Sequence, residues 1–331
     1  MRRRLRWGVG AAAVLLLVVL AAAYQYREMK QGRRTPPPAG RPVPAAVPAA
    51  GLPRGFVVWS SNRFGNHDIL RMELPSRRIT RLTRHPHAEY FPRLDPAGRR
   101  LVFARAQRPW VSHRDPVPWD VVLLDLETGE ERVLARFGNT PTWSADGRKV
   151  YFQRRVEQLV EYDLASGRER VVLRAGGGGL PAGLELQTPV VDRQGRVAVT
   201  FRRARRMTAI VAGGAVQRVA GGCQLAWSPA GDYLYYVDHG GRQENAIFRY
   251  DPASGERRLW LDLPGEFSHE YFPRLSRDGR WLVFGASRGD HEHDSADYEI
   301  FLWRAGSAPD QAIRLTYHTG NDNWPDIHIG P

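Results

Sequence analysis

The chain has 331 residues, of which 42% are hydrophobic, so it could bury one large core or two smaller ones. Its formal charge of +13 does not indicate nucleic-acid binding, because nine basic side chains and one acidic side chain lie in the first 53 residues and the remaining excess is scattered. The single cysteine, Cys223, excludes an intrachain disulfide framework.

Residues 1–24 are predicted to form a membrane anchor. Sixteen apolar residues run from Gly8 to Ala23 after a basic start, and Trp7 and Tyr24 flank them where interfacial aromatic residues belong. A bilayer core needs about 20 apolar residues, so the segment is close to the lower limit for a span. The same residues also fit a cleaved secretory signal. We expect the uncleaved anchor and keep cleavage as the alternative.

Residues 25–54 are predicted to form a linker. From Thr35 to Arg54 the sequence reads TPPPAGRPVPAAVPAAGLPR, and this density of proline and alanine favours an extended spacer over a packed core. The globular part is therefore expected at residues 55–331.

A β-hairpin recurs through the globular part. Each copy has an apolar strand, a turn that starts with Ser or Asp and contains glycine, and a second strand of alternating hydrophobic residues. The turn glycines are Gly98, Gly147, Gly195, Gly231 and Gly279. They lie 49, 48, 36 and 48 residues apart, which is close to the repeat length of four-stranded propeller blades.

The two ends of the globular part are predicted to complete a sixth blade. The segment FVVWSSNRFGNHDILRMELPSRRITRLT provides three strands, whereas NDNWPDIHIG at the C-terminus provides an innermost strand without followers. Joining them closes the ring and protects the sheet edges. The predicted fold is therefore all-β, a six-bladed β-propeller closed by strands from both termini and preceded by a hydrophobic helix and a Pro-rich linker.

The turns SADG, SPAG and SRDG, the strands that follow them, the segment SNRFGNHDILRM and the RLT strand ends resemble the repeats of TolB-like propellers. The resemblance covers residues 55–331. It implies a six-bladed propeller exported to the bacterial periplasm, and hence a single-pass inner-membrane protein with its propeller outside the cytoplasm. The N-terminal domain that accompanies the propeller in TolB has no counterpart in this sequence.

Acidic residues mark one face of the predicted propeller. Loops that enter the innermost strands share this entry face with loops that join second and third strands. Three residues before the innermost-strand proline stand Glu89, Glu270 and Asp322, in the consecutive blades 2, 6 and 1. We expect the three acids to converge at the channel mouth, where their repulsion would require a compensating group.

Histidines concentrate in the same sector. Eight of the ten fall on entry-face loops of blades 6, 1 and 2: His67, His85, His87, His113, His269, His291, His293 and His318. The predicted binding residues are the three acids with His85, His87, His113, His269 and His318. Imidazole and carboxylate are also ligands for divalent transition metals, so His291, His293 and Asp294 are the candidate metal ligands.

Two functions fit this sector. The first is a non-catalytic, monomeric binding module, tethered to the membrane, for an envelope protein, peptide or glycan. The alternative is a divalent-metal-dependent lyase or hydrolase that acts on a sugar or peptide. The sequence carries neither an HExxH motif nor a nucleophile elbow, which favours the binding module.

Overall fold

The computed structural model describes residues 20, 39–40, 51–115, 117–202, 206–289 and 292–330. The predicted anchor and the linker lie almost entirely outside the described residues. Within those residues, no helix is both long enough and apolar enough to cross a membrane.

The chain forms six antiparallel sheets of four strands, as the repeats predict. From the channel outwards, blade 1 contains β24 (Asp322–Ile329), β1 (Gly55–Ser61), β2 (Asp68–Leu74) and β3 (Ile79–Arg81); blade 2 contains β4 (Glu89–Leu94), β5 (Arg100–Ala106), β6 (Trp119–Asp125) and β7 (Glu131–Arg136); blade 3 contains β8 (Gly138–Trp143), β9 (Lys149–Arg154), β10 (Gln158–Asp163) and β11 (Glu169–Arg174).

The second half of the ring repeats the arrangement, with a 3-10 turn at Pro309–Gln311 before the last strand of blade 6. Blade 4 contains β12 (Glu185–Val191), β13 (Val197–Arg202), β14 (Met207–Ala212) and β15 (Ala215–Ala220); blade 5 contains β16 (Cys223–Trp227), β17 (Leu234–His239), β18 (Asn245–Tyr250) and β19 (Arg257–Leu261); blade 6 contains β20 (Phe267–Leu275), β21 (Trp281–Arg288), β22 (Glu299–Arg304) and β23 (Ile313–Arg314).

The ring closes through strands from both ends of the described propeller. Strand β24 pairs antiparallel with β1, from Asp322 opposite Ser61 to Ile329 opposite Gly55. The C-terminal segment is therefore the innermost strand of blade 1, and the predicted closure is confirmed.

The hairpin turns have the geometry that their sequences indicate. All five predicted turn glycines have positive φ, between 67° at Gly98 and 79° at Gly195, a conformation that glycine adopts without steric cost. The Ser or Asp at the turn start accepts from backbone N–H groups of the returning strand, as Asp95 does from Arg99 and Arg100. These bonds fix the hairpin register at the face opposite the entry face.

Apolar side chains fill the space between each pair of neighbouring blades. One cluster joins blade 1 to blade 6 through Trp59, Leu70, Val283 and Ile300, and equivalent clusters join the other neighbours around the ring. Because every blade buries both faces, its strands are apolar on both sides and stability depends on an unbroken ring. This ring holds the innermost strands in fixed positions around the channel.

Candidate functional site

Each innermost strand contains one non-glycine residue in the left-handed conformation. Their φ angles lie between 43° and 58°, and a register shift accompanies each one where the strand meets its neighbour. The six residues are Phe91, Thr140, Thr188, Gln224, Phe272 and Trp324. A bulge of this kind redirects a side chain, and its strain of about 1–3 kcal/mol persists where the surrounding fold enforces it.

These six positions divide the channel mouth into an aromatic half and a polar half. Blades 6, 1 and 2 contribute Phe272, Trp324 and Phe91, whose rings pack together with centroids 4.2 and 4.3 Å from the central indole. Blades 3 to 5 contribute Thr140, Thr188 and Gln224. Between the two halves lies a cavity of about 120 Å³. The blades that contain the three predicted acids are thus the ones that contribute aromatic residues at these positions.

A histidine pair and a carboxylate stand on the aromatic side of this mouth. His113 belongs to the β5–β6 loop, and both of its ring nitrogens have partners. Its Nδ1 lies 2.7 Å from Asp294 Oδ1, and its Nε2 lies 2.9 Å from His293 Nδ1. Asp294 also accepts from Ser112. Burial opposes ionisation of Asp294, but His113 and Ser112 hold its pKa well below the ordinary value. Loops of blades 2 and 6 are thus tied together.

The three predicted acids each have partners of their own. Glu89 is buried and accepts hydrogen bonds from the Thr83 hydroxyl and, at 2.7 Å, from Arg105 Nε. Burial raises the pKa of Glu89 to about 7 although the Arg105 guanidinium acts in the opposite direction. Arg63 lies 2.7 Å from Asp322. Although burial opposes its ionisation, Arg63 holds the pKa of Asp322 below the ordinary value.

Glu270 is held differently. Its carboxyl accepts from the backbone N–H of Leu263 at 2.5 Å, and burial raises its pKa to about 8. Arginine thus pairs with Glu89 and Asp322, whereas Glu270 accepts from a backbone N–H and burial favours its protonated form. None of the three carboxyls is among the side chains that line the cavity described above.

The predicted histidines occupy several environments. His113 and His293 line the cavity, whereas His67 is fully buried next to Ser60, and burial lowers its pKa to about 3. The rings of His85 and His87 contact each other edge-on at 4.7 Å, half-buried near blade 2. The remaining two binding candidates, His269 and His318, are buried. His291 lies outside the described residues.

A different trio brings metal-type ligand atoms together. Atoms of Glu299, His318 and Asp322 all lie within 4.8 Å of one another, between blades 6 and 1. In the described part of the chain, neither ring nitrogen of His318 has a hydrogen-bond partner. Gly40 lies so close to this ring that a side chain at position 40 would collide with it.

The carboxylates of this trio already have donors. Glu299 accepts from Thr316 at 2.5 Å, from Arg314 at 2.8 Å and from the backbone N–H of His318 at 2.7 Å. Asp322 is paired with Arg63. Both oxygens of Glu299 are thus occupied, whereas Asp322 Oδ1 has no hydrogen-bond partner in the described part of the chain, so a cation would compete with donors mainly at Glu299.

Sequence reasoning missed the six left-handed positions. Five of the six directly precede the innermost-strand proline, as Phe91, Thr140 and Thr188 do, whereas Gln224 precedes Leu225. Only the register shift in each strand reveals that the left-handed residue points into the channel.

Comparisons with known proteins agree with this architecture. No family model matches the chain. A stretch of 105 residues is 27% identical to Uncharacterized protein Atu1656 of Agrobacterium fabrum, covering 30% of this chain and 36% of that protein. The matched stretch therefore spans about a third of that relative.

Solved structures share the fold at low identity. TolB from Acinetobacter baumannii matches with a TM-score of 0.61 and 14% identity, over 82% of this chain and 66% of that one. The putative TolB from Agrobacterium tumefaciens matches with a TM-score of 0.57 and 14% identity, over 85% of this chain and 100% of that one. An oligogalacturonate lyase from Vibrio parahaemolyticus matches with a TM-score of 0.50 and 14% identity, over 82% of this chain and 80% of that one.

The protein is a closed six-bladed β-propeller with a two-sided channel mouth. More particularly, its fold is TolB-like, as the repeat motifs predict.

Proposed function

We propose that this propeller is a non-catalytic binding module that receives part of an envelope protein or peptide at the mouth of its axial channel. One observation carries the proposal. Two aromatic side chains, Phe91 and Trp324, and three polar ones, Thr140, Thr188 and Gln224, line a single cavity from left-handed backbone positions, and Phe272 packs behind Trp324. A concave site with a mostly apolar wall and a few polar groups is the usual form of a binding pocket.

The titratable groups near the mouth support binding over catalysis. Asp294 is fixed by Ser112 and His113, and Glu89 is fixed by Thr83 and Arg105. A carboxylate that already accepts several hydrogen bonds inside the fold is poorly placed to take a proton from a substrate. These groups serve to hold the loops around the mouth in position.

The trio of Glu299, His318 and Asp322 favours a second candidate, a divalent-metal-dependent lyase or hydrolase acting on a sugar or peptide. The observation behind it is the imidazole of His318, whose ring nitrogens make no hydrogen bond to the described residues and whose Nδ1 lies 3.8 Å from Asp322. The arginines on both carboxylates weigh against it. The two candidates differ in whether the purified protein carries a metal ion.

Metal content of the full chain separates the two candidates. We expect protein purified without chelators to hold far less than one equivalent of manganese, zinc or calcium, and its melting temperature to be unchanged by EDTA. About one metal per chain, lost in His318→Gln but retained in a His239→Gln control on blade 5, would contradict the binding module and support the metalloenzyme.

We also propose a single-pass inner-membrane location with a monomeric propeller in the periplasm. The apolar run and the Pro-rich spacer support it. A reporter enzyme that is active only in the periplasm, fused after Pro331, should be active. Activity of a cytoplasm-only reporter at the same position would contradict the topology.

A further inference from the structure

The cavity at the channel mouth presents hydrogen-bond donors that have no partner. Among the described residues, Arg202 Nε, Trp324 Nε1, Thr140 Oγ1 and Thr188 Oγ1 are buried without a hydrogen bond, and all four side chains line this cavity. Arginine and indole N–H groups can only donate. Since buried polar groups are normally paired, four unpartnered ones around one cavity indicate a polar ligand, and the two that can only donate, Arg202 Nε and Trp324 Nε1, indicate that it accepts.

The amide side chains of the polar half leave further donors. The oxygen of Gln224 accepts from the Phe272 N–H at 2.6 Å, and that of Asn139 accepts from the Thr140 N–H at 2.7 Å. Both amide oxygens are therefore occupied within the fold. The groups of these two side chains that remain for a ligand are mainly the amide N–H donors. They also favour a ligand that accepts hydrogen bonds.

Positive charge accompanies the donors. Arg202 ends strand β13 and makes no ion pair with any described residue, whereas Arg114 on the same cavity is tied to Glu292 at 2.8 Å. Burial lowers the pKa of Arg202, with Arg206 and Arg114 acting in the same direction, whereas Cys223 and Glu185 act in the opposite direction. Glu185 also lines the cavity opposite Arg202 on β12, without forming an ion pair with it. An anion would relieve this unpaired guanidinium.

The shape of the channel limits how a ligand enters. Below the cavity the channel narrows to a space of about 20 Å³. There the buried Arg93 donates to the carbonyl of Pro92 at 2.6 Å. A cavity of about 120 Å³ above this constriction accommodates a chain end or one side chain inserted end-on. The aromatic half can then contact an adjoining apolar side chain.

Resting on the proposed binding function, we infer that the channel mouth is a carboxylate pocket for a peptide, in which Arg202 and the indole N–H of Trp324 hold the anion and the aromatic half packs against the neighbouring residue. The carboxylate belongs either to the C-terminus of the peptide or to an acidic side chain near it. Both sources offer the same anion.

The test uses the full chain in detergent and a fluorescein-labelled pentapeptide pool, randomised at its last two positions and made with a free or an amidated C-terminus. In fluorescence anisotropy, we expect the free-acid pool to bind at least about tenfold more tightly. Arg202→Gln should remove that difference and Arg202→Lys should retain part of it. Trp324→Phe, which removes the N–H donor together with part of the aromatic surface, should weaken the free-acid pool more than the amidated pool. Arg277→Gln, on the opposite face, should change nothing.

A third pool, amidated but with a fixed Glu, identifies the source of the anion: its binding assigns the pocket to a side-chain carboxylate and supports the inference. Equal binding of acid and amide pools with no binding of the Glu pool, or unchanged affinity in folded Arg202→Gln, would overturn it. Binding of a galacturonate trimer in place of every peptide would overturn the peptide assignment. If a cellular partner still cross-links at the mouth, the binding function stands even when the carboxylate inference fails.

Discussion

Deleting residues 322–331 is expected to abolish cooperative unfolding and cause the chain to aggregate. The deletion removes all of β24, which pairs with β1 along its length and buries Trp324 and Ile327. Without it, β1 becomes an unpaired edge facing the channel, and such edges pair with other chains. The deletion also removes two large buried side chains, and truncating one such side chain in a core typically costs about 2–5 kcal/mol of unfolding free energy. The loss of the backbone pairing adds to this cost.

Size-exclusion chromatography and thermal melting measure this effect. Deletion of Pro331 alone is the control and should leave both unchanged, because β24 ends at Ile329. A synthetic peptide of residues 322–331 should restore part of the monomeric, folded population by adding the missing strand. A truncated chain that stays monomeric with an unchanged melting temperature would show that the ring does not depend on this closure.

The stability of the Glu270→Gln variant is expected to fall much less than that of the native protein as the pH rises from about 5 to 8. Burial raises the pKa of Glu270 to about 8, so the folded state binds its proton more tightly than the unfolded state does. Stability is therefore complete below the ordinary carboxyl pKa and falls as the pH rises towards 8, by up to roughly 1.4 kcal/mol per pH unit.

Glutamine keeps the oxygen that accepts from Leu263 but cannot ionise. The variant should match the native protein near pH 5 and exceed its stability at pH 8, as measured by urea unfolding. Glu266→Gln is the control, since the Glu266 side chain is 68% exposed. Burial also raises the pKa of Glu89 and Glu299, so these two residues contribute to the pH dependence as well. The test is therefore the difference between variant and native protein in the slope of unfolding free energy against pH. Parallel slopes in variant and native protein would contradict a buried, protonated Glu270.

Local sequence features predict the blades and their closure. The turn at Gly98 needs only a hydrogen-bond acceptor and a glycine within a few residues, and these lie side by side in the sequence. The innermost strand at the C-terminus is recognisable because it repeats the Pro-containing pattern of the other blades. Such patterns extend over a single hairpin, which is why the sequence suffices for them.

The site depends on contacts between distant residues, which a single sequence does not reveal. The entry-face position of Glu89 and Asp322 follows from their place before the proline, but their arginine partners lie 16 residues away at Arg105 and 259 residues away at Arg63. The contact between His113 and Asp294 spans 181 residues. Clustering of acids and histidines thus predicts a sector from local patterns, whereas the pairing inside it required the fold.

The central claim is that the mouth of the channel is where this propeller binds its partner. Photo-cross-linking in living cells tests it most directly, with a benzophenone amino acid placed in the full chain either at Val156, on the cavity, or at Arg277, in a turn on the opposite face. We predict a discrete cross-linked protein from position 156 and none from position 277. Equal adducts at both positions, adducts from position 277 alone, or none from either would contradict a binding site at the channel mouth.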